Sequence, residues 1–358
     1  MEGVFTTNRF VSRAAILITA LLFSTPGALF GQSLMFSGYA DFEAYGLLGE
    51  DDAGDSTSDI YFDNHHFNLI GLGSIYGDLF VASEVEYEHS GDEINLEYGY
   101  IGYTGFKDLR IMAGKFIVPF GRFNKDLHAS WINKMVDRPY GFERILPQTY
   151  SDAGIWVSGA RAMNDGSRIT YDVFVVNGLM GDDGADIRGM RGNGREKQAD
   201  GEIDSNKALG GRLGIDVAPK GFDFGASVYS GNYSNSDTET LNLLLLGVDA
   251  AYRNSGLEAR AEFIKATQEV SAGADLDKTG GYVQLAYRLP SNFEPVARYS
   301  MRDFPGDSKR DNSRLSFGLN YYISPASSVR LNYHINQEAH SEFEKTDNKV
   351  VLQFNVNF

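Results

Sequence analysis

The sequence contains no cysteine, which excludes a disulfide framework, a thiolate nucleophile and any cysteine-based metal site. It also lacks a basic excess: the formal net charge is −16 at pH 7, which argues against a nucleic-acid-binding protein. Beyond the N-terminal segment, no apolar run is long enough to cross a membrane as a helix. What is abundant is glycine, with 40 residues, and aromatic residues, at 13%. This combination is typical of chains built from strands and tight turns.

The N-terminal segment has the pattern of a secretory signal peptide. Arg9 and Arg13 precede an apolar run at 14–23, and small residues then end that run. The run is too short to span a bilayer as a helix. We therefore predict a signal peptide at 1–31, with an approximate cleavage site, and one exported domain at 32–358 whose membrane-spanning parts are strands.

The C-terminal residues form a strand with one apolar and one polar face. Gln353, Asn355 and Asn357 alternate with apolar residues, and the chain ends on Phe358. Such an apolar edge is a liability in a soluble protein, whereas a strand that closes a membrane barrel is paired on both sides. Fifteen similar segments precede it. The sixteen predicted strands are 34–46, 60–75, 79–89, 93–105, 109–117, 152–163, 168–177, 207–218, 222–233, 242–253, 257–268, 280–289, 293–303, 313–323, 328–337 and 348–358.

The connections between these segments alternate between short turns and longer, charged loops. This layout is typical of an all-β protein, a transmembrane antiparallel β-barrel of about sixteen strands in a bacterial-type outer membrane. Fourteen or eighteen strands remain alternatives within the error of the boundaries. A soluble β-sandwich is the alternative architecture, but it would not explain the alternating loop lengths.

A barrel of this size leaves an aqueous channel, so the polar rows of the strands should face its interior. The first strands carry an acidic wall, and later strands carry a basic path. The predicted acidic wall comprises Asp41, Glu43, Glu84, Glu86 and Glu97, and the basic path comprises Arg288, Arg302, Arg314 and Arg330, with Arg298 near mid-height. We expect opposed patches that orient polar solutes across the pore. The alternative is that these charges only solvate a wet interior and pair with one another.

The longest loop, 118–151, is rich in aromatic and aliphatic residues, so we expect it to pack inside the barrel as a constriction loop. Unlike the acidic chain as a whole, this loop has more basic than acidic residues. With Arg298, its cations form the predicted constriction: Arg122, Lys125, Lys134, Arg138 and Arg144. Cations at the narrowest point would favour anions. The alternative is that they form salt bridges with the acidic wall.

The segment Ala113 to Gly121, which reads AGKFIVPFG, resembles a motif of the phosphate-selective (polyphosphate) porin family. The stretches 145–147 and 150–154 continue the resemblance into the next strand. The resemblance implies sixteen-stranded, trimeric outer-membrane porins with an inward-folded third loop. It locates the loop cations by position only, and it does not identify individual phosphate-binding residues.

No cofactor, metal site or enzymatic activity is expected. His65 and His66 lie beside Asp63, but adjacent strand residues face opposite sides, so we do not interpret them as a metal pair. The acidic loops match no calcium-binding spacing. None of the six histidines lies in a recognisable nucleophile motif.

Three functions follow from the sequence. The first is a porin for passive diffusion of small hydrophilic solutes, preferring phosphate-like anions. The second is a substrate-specific channel for sugars or organic carboxylates, in which Trp131, Tyr140 and Phe142 form a stacking track. The third is a structural or adhesive barrel without conductance. The expected partners are outer-membrane lipids, the solutes and, from the resemblance, two further copies of the chain in a homotrimer.

Overall fold

The computed structural model describes residues 33–50, 56–57, 60–147, 149–179, 207–234, 240–271, 273–304, 312–338 and 348–358. The predicted signal peptide lies outside these residues. In the described part of the chain, no helix is both long and apolar enough to cross a membrane.

Sixteen long strands form one closed antiparallel sheet, and a two-residue strand, Ser56–Thr57, pairs with the end of the first. The strands are β1 (Ser33–Glu50), β2 (Ile60–Tyr76), β3 (Leu79–Glu88), β4 (Glu93–Phe106), β5 (Leu109–Ile117), β6 (Ser151–Ala162), β7 (Arg168–Val176), β8 (Ala208–Val217), β9 (Phe222–Ser234), β10 (Thr240–Asn254), β11 (Leu257–Gln268), β12 (Leu276–Tyr287), β13 (Phe293–Asp303), β14 (Asn312–Ser324), β15 (Ser327–Glu338) and β16 (Asn348–Asn357). The predicted barrel and its strand number are confirmed.

The barrel closes where its first and last strands meet. β1 pairs with β2 on one side and with β16 on the other. At the seam, Gly38 and Phe358 exchange backbone hydrogen bonds of 2.8 and 2.9 Å. The apolar C-terminal strand therefore has no open edge, as its sequence predicts.

Closure also makes the two charged walls neighbours. The acidic residues lie on β1, β3 and β4. The basic ones lie on β13 to β15, except Arg288, which directly follows β12, so the two walls adjoin through β16. Across this seam the Gln353 amide donates to the Glu43 carboxylate at 2.8 Å. The expectation that the walls face each other across the pore is wrong, because in a closed sheet the first and last strands pair.

Apolar side chains cover the outside of the barrel and polar ones fill the inside. On β15, Leu331 and Tyr333 point outward and are exposed, whereas Arg330, Asn332 and His334 are buried. An exposed apolar band of this kind suits a surface that faces lipid. The buried apolar residues form a cluster within the lumen, between the long loop and the barrel wall.

Several strands extend beyond the residues over which apolar alternation predicted them. β12 begins at Leu276 rather than at 280, and its residue Asp277 pairs with Thr267 of β11. β1 continues to Glu50 rather than ending at 46. Apolar alternation marks the part of a strand that faces lipid, while the backbone ladder continues with polar residues beyond it.

A β-bulge changes the direction of two histidines on β2. Asp41 is paired with His66 but Glu43 is paired with Asp63, so β2 carries an extra residue at this point. The rings of His65 and His66 stack with their centroids 4.0 Å apart. The sequence-based expectation that these rings face opposite sides is wrong, because it assumes an unbroken period of two.

Candidate functional site: the lumen constriction

The loop between β5 and β6 folds into the barrel. A six-residue helix, α1 (Arg122–Leu127), begins after Gly121, whose φ of 65° is the left-handed value that glycine adopts readily. A side chain at Gly121 would also collide with the Glu262 carboxylate of β11. That carboxylate accepts the backbone N–H groups of Arg122 at 2.8 Å and Phe123 at 3.0 Å. The start of α1 is therefore fixed to the barrel wall.

Apolar packing holds the loop in the same place. Phe123 and Phe142 lie 5.2 Å apart between ring centroids, and both contact the ring of Tyr282 on β12. Phe120 and Ile145 are also fully buried. At the neck of the loop, Asn124 donates to the carbonyl groups of Val118 and Tyr150. Burial of this many aromatic side chains explains why an aromatic loop occupies the lumen.

Three of the five predicted loop cations form ion pairs with the wall. Arg122 pairs with Asp223 and, at 3.3 Å, with Asp249. Lys125 lies 2.5 Å from Asp172. The carboxylates belong to β7, β9 and β10, not to the predicted acidic wall.

Lys134 completes this set. Its ammonium group lies 2.5 Å from Glu294 of β13 and 3.9 Å from Glu258 of β11. Each of these paired cations is neutralised by a carboxylate at short range, so each attracts an anion less than an unpaired cation would.

Arg138 differs from the paired cations. It is half-buried and, within the described residues, has no hydrogen bond or ion pair. Its charge nevertheless acts on Glu97 of the acidic wall. For Arg144, the side chain lies outside what the structure describes. Among the predicted loop cations whose side chains are described, Arg138 is the one that forms no ion pair with a described residue.

Asp137 of the loop gathers basic residues from the C-terminal strands. Its carboxylate lies 3.1 Å from Lys349 of β16 and 3.2 Å from Arg314 of β14. Arg298 of β13 donates to the Asp137 carbonyl at 2.7 Å. Burial alone would raise the pKa of the Asp137 carboxyl, but neighbouring positive charges, Lys349 foremost, outweigh it and hold this pKa well below its usual range. Two cations therefore pair with the ionised carboxylate of Asp137, and a third binds its backbone carbonyl.

Tyr140 supports two of the arginines. The guanidinium carbons of Arg302 and Arg314 lie 4.9 and 4.3 Å from the centre of its ring, within cation–π range. Its hydroxyl donates to Asn336 at 3.0 Å. We call Arg298, Arg302, Arg314 and Lys349 the basic arc.

The remaining basic residues have other surroundings. Arg330 is 1% exposed and donates to the carbonyls of Ser130 and Trp131 at 2.7 and 2.9 Å, so it anchors the loop. Arg288 stacks on the ring of Tyr322, 3.5 Å from its centre. The structure thus brings Arg298, Arg302 and Arg314 together and leaves Arg288 apart.

The acidic wall is buried in the lumen at all five predicted positions, which are Asp41, Glu43, Glu84, Glu86 and Glu97. In the described part of the chain, its ion pairs are with histidines: His66 with Asp41, His65 with Glu43, and His128 with Glu84. Asn68 donates to Glu84 at 2.8 Å and to Glu86 at 2.6 Å, whereas Oε2 of Glu97 is buried without a hydrogen-bond partner among the described residues. The wall is therefore strongly negative wherever its histidines are neutral.

The predicted stacking track does not form. Phe142 is 2% exposed and packs into the loop core, and Tyr140 is covered by arginines. Trp131 alone of the three is exposed, at 38%.

Sequence reasoning missed Lys349 and Glu262. Lys349 and Gln353 are four residues apart on β16 and therefore lie on the same face. The alternation of this strand could thus have predicted that Lys349 faces the lumen. Nothing in the sequence indicates that Glu262 receives α1, because the two are 140 residues apart.

Comparison with known proteins identifies the family. The family model described as phosphate-selective porin O and P matches residues 40–358. The chain belongs to this family. The resemblance inferred from the loop motif is confirmed. The porin family and the fold point to a channel of the outer-membrane type rather than to an enzyme.

One uncharacterised protein is similar to part of this porin's sequence. An uncharacterised protein of Aquifex aeolicus (strain VF5) is 28% identical over 243 residues, which cover 59% of this chain and 53% of that protein. The match thus spans about half the length of that relative.

Solved porins share the fold. An anion-selective porin from Comamonas acidovorans has a TM-score of 0.65 at 12% identity, covering 91% of this chain and 100% of its own. The outer membrane channel DcaP of Acinetobacter baumannii has a TM-score of 0.63 at 12% identity, covering 92% and 98%. OmpT of Vibrio cholerae in its trimer form has a TM-score of 0.59 at 11% identity, covering 92% and 100%.

Proposed function

We propose that this porin is a passive outer-membrane channel for small hydrophilic solutes and that it prefers anions. The observation that carries the proposal is the group of three cations at Asp137: Lys349 and Arg314 pair with its carboxylate, and Arg298 donates to its backbone carbonyl. These three cations belong to β13, β14 and β16, where residue 137 of the constriction loop contacts the barrel wall. Fixed positive charges at a constriction lower the free energy of an anion there and raise that of a cation.

Arg138 adds a positive charge that no described carboxylate pairs with directly. The family description, phosphate-selective, and the anion-selective porin with the same fold support the same preference. We infer that phosphate-like anions are the favoured class of solute, that the long loops face outward and that the termini face the periplasm. A homotrimer, as in the trimer form of OmpT, completes the proposal.

The test is the reversal potential of the purified porin in a planar bilayer under a KCl gradient. We expect a potential on the anion side and a fall in chloride current as inorganic phosphate is added. A potential on the cation side would overturn the anion preference, and the absence of any conductance would overturn the channel function in favour of a structural or adhesive barrel.

Arg138 provides the sharper test of the site. Changing Arg138→Gln and then Arg138→Glu should move the reversal potential toward cations in two successive steps. The matched control is Arg168→Glu, which changes an exposed arginine whose partner is Asp216 at the short-turn end of the barrel. Equal potentials for all three variants would refute the assignment of Arg138.

A further inference from the structure

A group of histidine and carboxylate side chains lies on β1, β2 and β3, apart from the basic arc. We call it the histidine cluster and define it by Asp41, His65, His66, Glu86 and Glu88. Asp41, His66 and Glu88 are in register across the three strands, so their side chains form one row on the lumen face. Glu86 lies two residues before Glu88 and therefore shares its face.

The hydrogen bonds of His66 determine which of its nitrogens is available. Nδ1 lies 2.9 Å from Oδ2 of Asp41, and the backbone N–H of His66 donates to Oδ1 of the same carboxylate at 3.0 Å. An ionised carboxylate only accepts, so Nδ1 carries the hydrogen, and in the neutral ring Nε2 keeps a lone pair. Nε2 faces Glu88, with its oxygen at 3.6 Å.

A carboxylate behind a histidine is the usual support of a histidine metal ligand. It fixes the tautomer and the ring orientation and makes the opposite nitrogen more basic. The serine hydroxyl of Ser130, from the constriction loop, also donates to Asp41 at 2.5 Å and holds this carboxylate in place.

The two glutamates facing His66 lack a compensating cation. Within the described residues, neither Glu86 nor Glu88 forms an ion pair with a lysine or an arginine, and Glu86 receives hydrogen bonds from Asn68 and Tyr39 only. Two carboxylates this close repel each other unless a cation or a proton lies between them. The cluster thus combines a prepared nitrogen ligand with uncompensated oxygen ligands.

We propose that His66, Glu86 and Glu88 bind one divalent transition-metal ion, with zinc as the reference, and that Asp41 positions His66. Their ligand atoms all lie within 4.8 Å of one another. The 3.6 Å between His66 Nε2 and Glu88 is close to the roughly 3.3 Å that separates two tetrahedral zinc ligands. Imidazole favours zinc, copper or nickel over calcium or magnesium, which prefer oxygen alone.

A second triad shares His66. The ligand atoms of Asp41, His65 and His66 also lie within 4.8 Å of one another. Using it would require Nδ1 of His66 and Asp41 to give up their hydrogen bond, and His65 already contacts Glu43 at 3.1 Å. The geometry therefore favours the glutamate side.

The experiment measures metal binding directly and does not depend on the ion preference of the channel. The full porin, purified in detergent and treated with a chelator, is titrated with ZnCl2 by calorimetry and with CoCl2 by visible absorption. We expect one zinc per chain and a cobalt spectrum typical of nitrogen and oxygen ligands. Millimolar CaCl2 should not displace the zinc. Absence of zinc binding, or equal competition by calcium, would overturn the proposal.

Variants identify the ligands. His66→Gln and Glu88→Gln should each weaken zinc binding by more than about 100-fold, and Asp41→Asn by about 10- to 100-fold, as expected for a supporting carboxylate. His65→Gln should retain binding. The control Asp277→Asn removes an exposed carboxylate that pairs with Lys265 on distant strands and should leave binding unchanged.

Each variant is first checked for the heat-dependent gel migration of a folded barrel, so loss of binding is separated from loss of folding. Of the two ligand substitutions, Glu88→Gln is the more easily accommodated, because the Glu88 side chain is 15% exposed and that of His66 is 9% exposed. Loss of binding in His65→Gln with full binding in Glu88→Gln would place the ion on the second triad and refute the ligand set.

Discussion

The basic arc and the histidine cluster occupy adjoining parts of one barrel wall, yet their charges are balanced in different ways. The arc belongs to β13, β14 and β16, and the constriction loop brings Asp137 and the ring of Tyr140 to it. The cluster belongs to β1, β2 and β3, and among the described residues of the loop only Ser130, through its hydroxyl, donates to it. The loop therefore supplies counter-charge to one region and not to the other.

This difference indicates separate roles for the two regions. The arc concentrates four cations, of which Lys349 and Arg314 pair with the Asp137 carboxylate, and we propose that passing anions are attracted there. The carboxylates of the cluster contact histidines and neutral hydrogen-bond donors, and we propose that His66, Glu86 and Glu88 serve as ligands for a metal ion. Experiments that alter one region while the other is unchanged test this separation.

The largest effect is expected from reversing two charges in the arc. Arg314→Glu with Lys349→Glu replaces two cations beside Asp137 by two anions, so the local field changes sign. The reversal potential in a KCl gradient should cross from the anion side to the cation side. Zinc binding at the histidine cluster should persist.

The control for this variant is Arg168→Glu with Lys265→Glu, which makes the same change in net charge. Both cations are in exposed ion pairs, and such pairs contribute only about 0.2–1 kcal/mol. A similar potential shift in both double variants would show that net charge, rather than the arc, determines selectivity.

The second-largest effect is expected where Asp137 of the constriction loop contacts the barrel wall. Asp137→Asn removes the carboxylate that pairs with Lys349 and Arg314. Since these side chains are partly exposed, at 23% for Lys349 and 16% for Asp137, the cost should lie at or below the low end, about 3 kcal/mol, of the range for fully buried pairs. The free energy of unfolding should fall by this order, and the reversal potential should move further toward anions. Chemical unfolding in detergent and bilayer recording measure the two changes.

The pH dependence follows from the lowered pKa of Asp137. A carboxylate whose folded pKa is lowered stabilises the protein fully above its unfolded pKa of about 3.9, and this stability is lost as pH falls through the folded pKa. The difference in unfolding free energy between wild type and Asp137→Asn should stay constant from about pH 8 to about pH 5 and shrink only in stronger acid. A difference that shrinks near neutral pH would contradict the lowered pKa.

How far the sequence predicts this molecule depends on the range of the interaction. Alternation with a period of two is local, and it predicted the barrel, its sixteen strands and the closing role of Phe358. It could not predict the bulge opposite Asp41, because an inserted residue has no compositional signature there.

The site is less predictable than the fold. The composition of the loop indicated that it enters the lumen, but the partners of Lys134 and Arg122 lie more than a hundred residues away. Which carboxylate pairs with which cation depends on the order of the strands and on their register. Loop cations that were predicted as a group therefore separate into paired ones, such as Lys125, and Arg138.

A smaller effect is expected where α1 meets the wall. Glu262→Gln removes the charge that accepts the N–H groups of Arg122 and Phe123 but keeps one acceptor oxygen. A hydrogen bond to a charged group contributes about 1.5–3 kcal/mol, and the loss is partly offset because Glu262 also repels Asp249. We expect a modest fall in unfolding stability and a higher single-channel conductance as α1 loosens. Unchanged conductance would mean that the apolar packing of Phe123 and Phe142 against Tyr282 is enough to hold the loop in place.

The smallest effect separates the two contacts that Tyr140 makes. Tyr140→Phe removes only the hydroxyl that donates to Asn336, so the cost should be about 0.5–1.5 kcal/mol, with an unchanged reversal potential. Tyr140→Leu also removes the ring that makes cation–π contacts with Arg302 and Arg314. The two arginines should then move apart, and the reversal potential should shift. If both variants left the potential unchanged, the positions of the arginines would depend on Asp137 and the strands alone, and the loop would contribute charge to the basic arc without shaping it.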